Sequence, residues 1–252
     1  MSLLISLQSE KIKNKRTASL YICMILSALV PLMLTIETIE INSMHPGQTE
    51  AWTSIFLEGR EFISFMFLPL FIILISTLLL QSEYRNHTWK QVLASPQELV
   101  NIFFSKFIIL HLLIILFLFA YNFWLIISTG ILYLLIPNHF TGMIDLKDIF
   151  ILNGQVYISI LGMSAIQFWL ALRFRHFMAS LAIGFCLWFV APMMLFEFDF
   201  SFVEYFPYSF SFMTSIPKYA NKVPVILWLS LAYTVLFLGI AYAEFKWRRK
   251  VN

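Results

Sequence analysis

Six long runs of apolar residues constrain this chain more than any other feature of its sequence. They cover roughly residues 18–36, 62–80, 107–136, 151–172, 177–197 and 223–243. About 20 apolar residues in a helix, each rising about 1.5 Å, are enough to cross the hydrocarbon core of a bilayer. Only 12% of the residues are charged, about half the share of an ordinary soluble domain. The chain is therefore predicted to be an all-α integral membrane protein with six transmembrane helices.

The distribution of basic residues predicts how these six spans are oriented. Of the 17 Lys and Arg residues, those in the loops after spans 1, 3 and 5 are only Arg60, Lys147, Lys218 and Lys222. Cytoplasmic loops carry the excess of Lys and Arg in membrane proteins. Both termini and the loops after spans 2 and 4 are therefore expected to be cytosolic. No internal repeat or linker divides the sequence, so residues 1–252 are expected to form a single transmembrane domain.

The residues before span 1 have the pattern of a basic amphipathic helix. The residues that define this helix are Leu4, Leu7, Lys11, Lys13, Lys15 and Arg16, with Leu3 and Ile12 near the same apolar face. Such a helix lies in the headgroup plane and is attracted to anionic lipid. An N-terminal interfacial helix is therefore expected, and a basic tail that only sets the topology is the alternative.

Two further stretches have helical patterns of their own. Trp52, Ile55, Phe56 and Gly59 recur with helical spacing, which predicts a helix leading into span 2. Span 3 is longer than a bilayer is thick, so it must tilt, protrude or break. The weakest point for a break is residues 128–130, a Ser-Thr-Gly sequence.

The segment between spans 5 and 6, roughly residues 198–222, is unusually aromatic. It is too rich in Phe and Tyr for a free loop, and too short and interrupted by Pro217 to cross the membrane. Irregular backbone can enter a bilayer only where protein covers it. We therefore expect a hydrophobic re-entrant or interfacial segment.

Several catalytic motifs are missing from the sequence. None of the 8 glycines begins a G-K-[ST] phosphate loop, and H-E-x-x-H and G-x-S-x-G motifs are also absent. The five histidines are scattered over both predicted faces, which disfavours a metal site. The sequence therefore predicts no catalytic residue, no metal and no ATP hydrolysis on this chain.

A few polar residues fall inside the apolar runs. The candidates are Asn122, Gln155, Gln167 and Glu197, together with His111. A polar group in a membrane must face a partner helix or a cavity. These residues could line a translocation path, or they could form hydrogen bonds between helices. No charged residue lies at mid-depth, so an ion-coupled carrier is disfavoured.

The polar stretch between spans 2 and 3, residues 83–96, is the strongest functional signal. Trp89, Val92 and Leu93 share one face of a short helix, which Pro96 ends. On the cytosolic side, such a face suits the groove of a soluble partner, because aromatic anchors dominate such interfaces. The alternative is an amphipathic helix resting on lipid.

This stretch, with the sequence EYRNHTWKQVLASP, resembles a signature of the permease subunits of ABC-2-type ABC transporters. That signature is E-x-[RK]-x-x-T-[WFL]-K-x-[LV]-L-x-x-P, followed by a Lys at the position of Lys106. The layout of a basic N-terminal helix, six spans, a cytosolic helix between spans 2 and 3, and a membrane-dipping segment between spans 5 and 6 is also similar. Residues 88–91 are most similar to permeases of bacterial immunity systems against lantibiotics and other antimicrobial peptides.

The resemblance implies a mechanism and a set of partners. Two permease chains, identical or homologous, would pair in a bacterial cytoplasmic membrane, and each would bind one separate ABC ATPase subunit. ATP and Mg would be held by the ATPase, and this chain would bind no cofactor. The residues of the ATPase-binding coupling helix would be Glu83, Arg85, Thr88, Trp89, Val92, Leu93 and Pro96. An outer gate would include Tyr205, Phe206, Tyr208 and Phe210.

The substrate expected from this resemblance is an antimicrobial peptide or another amphipathic or hydrophobic molecule, moved out of the membrane or the cell. Two other classes of function stay open on the residues alone. One is a multi-span scaffold or sensor without transport activity, and the other is an intramembrane enzyme, for which the sequence offers few catalytic side chains. Nothing in the sequence indicates a nucleic acid partner.

Overall fold

The computed structural model describes residues 3–15, 18–44, 50–85, 98–136, 140–141, 146–174, 176–196 and 201–251. Within these ranges the helices are α1 Leu3–Lys15, α2 Ser19–Met44, α3 Trp52–Phe62, α4 Leu68–Arg85, α5 Leu99–Leu135, α6 Leu146–Ser159, α7 Leu161–Arg173, α8 Phe177–Phe196, α9 Phe210–Met213 and α10 Val223–Val251. A π-helix covers Ile63–Phe67, and 3-10 helices cover Ser201–Tyr205 and Pro217–Lys222. Two short strands, β1 Glu50–Ala51 and β2 Phe140–Thr141, pair in parallel.

Six helical stretches of the described chain are long and apolar enough to cross a membrane. They are span 1 Ser19–Met44, span 2 Trp52–Gln81, span 3 Leu99–Leu135, span 4 Lys147–Arg173, span 5 Phe177–Phe196 and span 6 Pro217–Trp247. The prediction of an all-α protein with six spans is therefore confirmed. The spans are longer than the apolar runs alone suggest, because helix geometry continues into the polar residues that flank several of them.

Span 2 lies at the centre of the bundle. Its residues Leu68, Phe71, Ile72 and Ile75 have no exposed surface, and the Phe71 ring stacks on Phe117 of span 3 at 4.3 Å between centroids. Lipid tails are as apolar as these side chains, so close packing rather than removal from water holds such helices together. Spans 5 and 6 have the smallest buried share of the six spans.

Span 3 is one unbroken helix, and the expected weak point at residues 128–130 is not a break. The Ser128 and Thr129 hydroxyls both donate to the Leu125 carbonyl of the same helix, at 3.0 and 2.7 Å. These bonds satisfy the hydroxyls without opening the backbone ladder. With 37 residues the helix is about 55 Å long, so it must tilt or extend beyond the hydrocarbon core.

The backbone of span 2 is interrupted instead, by the π-helix Ile63–Phe67. A π-turn leaves carbonyls without their usual i+4 donor, and two side chains from elsewhere in the bundle supply donors. The Trp188 indole donates to the Phe65 carbonyl at 2.8 Å, and the Ser211 hydroxyl donates to the Ser64 carbonyl at 3.0 Å. The interruption is therefore covered by protein, as an apolar environment requires.

Span 4 is also interrupted, between α6 and α7 at Ile160. A single hydroxyl, that of Ser230 in span 6, lies against this break. It lies 2.8 Å from the Ile158 carbonyl and 2.9 Å from the Ser159 carbonyl, and it accepts from the Gly162 amide at 3.0 Å. A Cβ on Gly162 would lie 3.1 Å from the Ser230 carbonyl oxygen, so the small residue is what lets the two spans approach.

Candidate functional site

Most of the predicted coupling helix lies outside the described residues. Glu83 and Arg85 belong to the last turn of α4, and α5 begins at Leu99. Thr88, Trp89, Val92, Leu93 and Pro96 lie in the range 86–97, which the structure does not describe. The role of this stretch stays a prediction.

The N-terminal helix predicted from the sequence is present as α1, but its apolar residues do not share one face. Leu4 and Ile12 are exposed, whereas Leu7 packs against the core. The sequence pattern did not indicate that α1 turns Ser6 and Glu10 towards the bundle, where both are buried. Lys11 is exposed, Lys13 and Lys15 lie in the helix, and Arg16 is outside the described residues. Whether α1 lies among lipid headgroups stays a prediction.

Glu10 is buried because it meets a buried cation. The Lys106 ammonium, 1% exposed, donates to Glu10 Oε1 at 3.0 Å. An isolated charge in such a place would be very unfavourable, and pairing with a hydrogen bond offsets this. The pair fastens α1 to the start of span 3, just after the predicted coupling helix.

Asn122, a candidate for the translocation path, pairs with a residue that the sequence did not single out. Asn122 and Asn153 exchange two side-chain hydrogen bonds, each of 3.1 Å, between spans 3 and 4. Each amide nitrogen also donates to the carbonyl four residues earlier in its own helix. Their donors are fully used, which is the arrangement of an interhelical clamp. Gln155 is half-buried, and Glu197 lies outside the described residues.

Gln167, another path candidate, has no exposed surface and joins three elements of the bundle. Its amide nitrogen donates to the Ser180 carbonyl of span 5 at 3.2 Å, and its carbonyl oxygen accepts from the Tyr208 hydroxyl at 3.1 Å. Burial raises the pKa of the Tyr208 phenol, so this group keeps the proton that it donates. The Ser180 hydroxyl lies 3.3 Å from that of Thr77 in span 2. Such bonds fix helices against one another.

The middle of the aromatic segment between spans 5 and 6, residues 206–216, packs inside the bundle. Tyr208 reaches Gln167, near the Arg173 end of span 4, and the Ser215 carbonyl accepts from Arg60 near the Trp52 end of span 2. Of the proposed gate residues, Tyr208 and Phe210 are buried, Phe206 is half-buried and packs on the core, and Tyr205 is 53% exposed. The segment is thus held by Gln167 of span 4 and by Arg60 of span 2. Tyr205 is the most exposed of the gate candidates.

His111 of span 3 also has partners in span 4. Its ring nitrogens lie 3.3 Å from the Tyr157 hydroxyl and 3.3 Å from the Ser164 hydroxyl. Ser164 donates its own proton to the Leu161 carbonyl at 2.7 Å, so it can only accept from the imidazole. A neutral ring protonated on Nε2, with Tyr157 donating to Nδ1, satisfies the whole group.

A small cavity lined by both polar and apolar side chains is the feature that the sequence did not indicate. Its volume is about 20 Å³, and it is lined by Phe56, Arg60, Tyr121, Asn122, Leu125, Ile149, Leu152 and Asn153. Arg60 had been counted as an ordinary cation of the first outer loop. The structure instead places it in α3 within span 2, with its Nη2 donating to the Ser215 carbonyl at 3.0 Å. A lone Arg just before an apolar run was the only sequence signal for this cavity.

The polar side chains inside the spans connect helices and cover interrupted backbone. Among the described residues, no group of three His, Cys, Asp or Glu side chains could hold a metal ion. Several polar groups inside the spans bond across helices, where the backbone is interrupted or where two spans meet, and others bond to carbonyls of their own helix. The fold is that of a polytopic membrane protein whose irregular segments are held by specific side chains.

The family described as ABC-2 family transporter protein matches residues 6–191. This range covers most of the chain and includes spans 1–4, the stretch 83–96 and most of span 5. The chain therefore belongs to the ABC-2 family of transporter proteins. It is a multi-pass membrane component of an ABC transporter, not the catalytic subunit, and an ABC transporter has an ATPase partner. No curated protein matches the chain.

Proposed function

We propose that this chain is the permease subunit of an ATP-driven exporter that binds a separate ATPase through residues 84–96. The observation that carries the proposal is the match to the ABC-2 family across the region that contains this stretch. The stretch begins in the last turn of α4, which ends at Arg85, and α5 begins shortly after it, at Leu99. A force applied to it would therefore act directly on spans 2 and 3, which contribute most to the buried core of the bundle.

The proposed assembly has two permease chains, the same or homologous, and two ATPase subunits that hold ATP and Mg. The termini and the coupling helix face the cytosol of a bacterium, as the excess of Lys and Arg on that side supports. The mostly exposed spans 5 and 6 leave a large apolar surface for lipid or for the second permease chain. One domain, residues 1–252, carries all these functions.

The proposed substrate is an antimicrobial peptide or another amphipathic molecule taken from the membrane. The segment 201–216 would act as the outer gate, with Tyr205 exposed at its edge and Tyr208 and Phe210 as its buried anchor. The Tyr233 hydroxyl donates to the Tyr205 carbonyl at 2.9 Å, so a movement of span 6 would carry the gate with it.

The experiment that tests the coupling proposal uses the full-length tagged chain purified from its native membrane. A copurifying ATPase with a phosphate-binding loop is identified by mass spectrometry, and hydrolysis of Mg-ATP by the complex is measured. Trp89→Ala and Leu93→Asp should reduce ATPase copurification and permease-stimulated hydrolysis to the background level. Phe150→Ala is the matched control, because Phe150 is 81% exposed and belongs to the other side of the bundle. ATP hydrolysis at the wild-type level in both coupling variants would refute the proposal.

A further inference from the structure

The cavity beside Arg60 presents hydrogen-bond donors that no described residue uses. Arg60 Nε and Nη1 and the Tyr121 hydroxyl are all buried without a hydrogen-bond partner. The carboxylate of the next residue, Glu61, is therefore not bonded to these two nitrogens. Buried polar groups in folded proteins are nearly always satisfied, so a group of unsatisfied ones indicates a missing partner. Arg and Tyr offer N–H and O–H groups here, and the partner they require is an acceptor.

The other polar side chains that line the cavity do not fill this role. The Asn122 and Asn153 amides bond to each other at 3.1 Å and to their own helices. Among the described residues, Arg60 forms a hydrogen bond only through Nη2, which donates to the Ser215 carbonyl. A guanidinium group that keeps one edge free, with a phenol beside it, is suited to two parallel bonds to an oxyanion.

The position of the cavity along span 2 indicates where the acceptor comes from. Trp52, at the start of the span, lies against Tyr133 at 6.0 Å between ring centroids, and such aromatic pairs are common at headgroup level. Arg60 is about two helical turns further along. An Arg side chain at this depth lies just inside the hydrocarbon boundary, within reach of the phosphate layer.

The size and opening of the cavity fit one small group rather than a whole molecule. Its volume of about 20 Å³ holds about one water-sized group. Several of its lining side chains, including Phe56, Ile149 and Leu152, are only half-buried, so it opens to the outer surface of the bundle. A phosphate can place one oxygen in the cavity while the rest of the molecule stays outside.

We propose that this cavity binds a phosphate group through Arg60 and Tyr121, at the membrane face that holds the loop after span 1. The phosphate belongs either to the headgroup of an anionic lipid or to free inorganic phosphate. The site does not depend on the proposed export function, because its occupant is defined by hydrogen-bond chemistry. Its test measures binding and involves no ATPase.

The experiment is native mass spectrometry of the full-length chain in a mild detergent, titrated with dioleoylphosphatidylglycerol and, separately, with inorganic phosphate. Arg60→Gln should weaken binding of the phosphate-bearing ligand roughly tenfold, since it removes charge-assisted bonds. Tyr121→Phe keeps the ring and should weaken binding by a smaller factor. Lys218→Gln removes one exposed positive charge from the same membrane face and should bind like the wild type.

If excess inorganic phosphate does not displace the bound lipid, the phosphate group in the cavity belongs to the lipid. If it does displace the lipid, the occupant is free phosphate. Thermal unfolding of each variant in the same detergent controls for folding, and Tyr121→Phe decides the question if Arg60→Gln is unstable. Equal binding by wild type, Arg60→Gln and Tyr121→Phe would overturn the proposal and leave the cavity to water. An equal loss in Lys218→Gln would also overturn it, because binding would then follow net charge alone.

Discussion

The ammonium group of Lys106 and the carboxylate of Glu10 form an ion pair of 3.0 Å that is almost entirely shielded from solvent. The two residues are 96 positions apart in the chain, and the pair joins α1 to the base of span 3. The undescribed stretch 86–97 lies directly before this base. If the proposed coupling helix binds an ATPase, its displacement would therefore move α1 together with span 3.

Breaking this pair by changing one partner should destabilise the protein strongly. Glu10→Gln leaves the Lys106 charge buried without its carboxylate, which costs about 3–5 kcal/mol in comparable buried pairs. The free energy of unfolding in detergent micelles measures the loss. The double variant Glu10→Leu, Lys106→Met removes both charges and should recover most of the stability. A loss below about 1 kcal/mol in Glu10→Gln would contradict a buried pair.

Ser230→Ala should weaken the contact between spans 4 and 6. The change removes the hydroxyl that serves the Gly162 amide and the Ile158 and Ser159 carbonyls. Buried groups left unsatisfied cost about 1–3 kcal/mol. The control is Thr234→Val, because the Thr234 hydroxyl bonds only to the Ser230 carbonyl of its own helix. Equal stability of the two variants in chemical unfolding would show that the hydroxyl does not support the break.

Gly184→Ala should disrupt the bonds around Gln167. A Cβ at position 184 would lie 2.5 Å from Gln167 Oε1 and 2.8 Å from Nε2, so the amide must move away from Tyr208 and Ser180. Overpacking of this kind costs about 1–3 kcal/mol. In Gly239→Ala the added Cβ meets no atom within 4 Å, and a small stabilisation is expected because Ala favours the helix. Melting temperatures that shift in the same direction for both variants would refute the prediction.

Trp188→Phe should loosen span 2 at the π-helix. The change keeps an aromatic ring but removes the donor to the Phe65 carbonyl, worth about 1 kcal/mol. Amide hydrogen exchange at residues 63–70, measured in nanodiscs, should become several-fold faster. Trp228→Phe is the control, since Trp228 is 74% exposed and should leave this exchange unchanged. Unchanged exchange in Trp188→Phe would mean that the indole bond does not hold the π-turn.

The six spans and the lead-in helix at Trp52 could be predicted because both rest on local patterns. The length of an apolar run and the spacing of Ile55 and Gly59 are visible in any short window of the sequence. Both are buried in the structure as that spacing requires. The membrane class and the family follow from the same local information.

The side chains that cover the interruptions of spans 2 and 4 could not be predicted, because they are distant in sequence. Residues 63–67 read Ile-Ser-Phe-Met-Phe, and the one local signal is Pro69, which has no N–H for the Phe65 carbonyl four residues earlier. The donors that stabilise the π-turn come 123 and 147 residues later, from Trp188 and Ser211. In span 3 a break was expected at residues 128–130 but is not present. The Ser128 and Thr129 hydroxyls bond to a carbonyl of their own helix and leave it intact.

Which polar residues pair with one another could not be predicted either, because the partners are distant in sequence. Asn122 was visible as a polar residue in an apolar run, but nothing indicated that Asn153 would be its partner. Arg60 was assigned to a loop because charge is normally found there. Its place in the bundle depends on Ser215 and on the cavity that Tyr121 helps to line.

The π-helix of span 2 also matters for how related permeases are compared. A π-turn is equivalent to one residue inserted into an α-helix, and it rotates everything that follows by about 100°. Thr77 and Gln81 meet Ser180 and Phe174 in this rotated register. An alignment that pairs span 2 with an uninterrupted helix should therefore carry a one-residue gap within Ile63–Phe67. Without that gap, lipid-facing positions of one protein would be matched to the interior positions of the other.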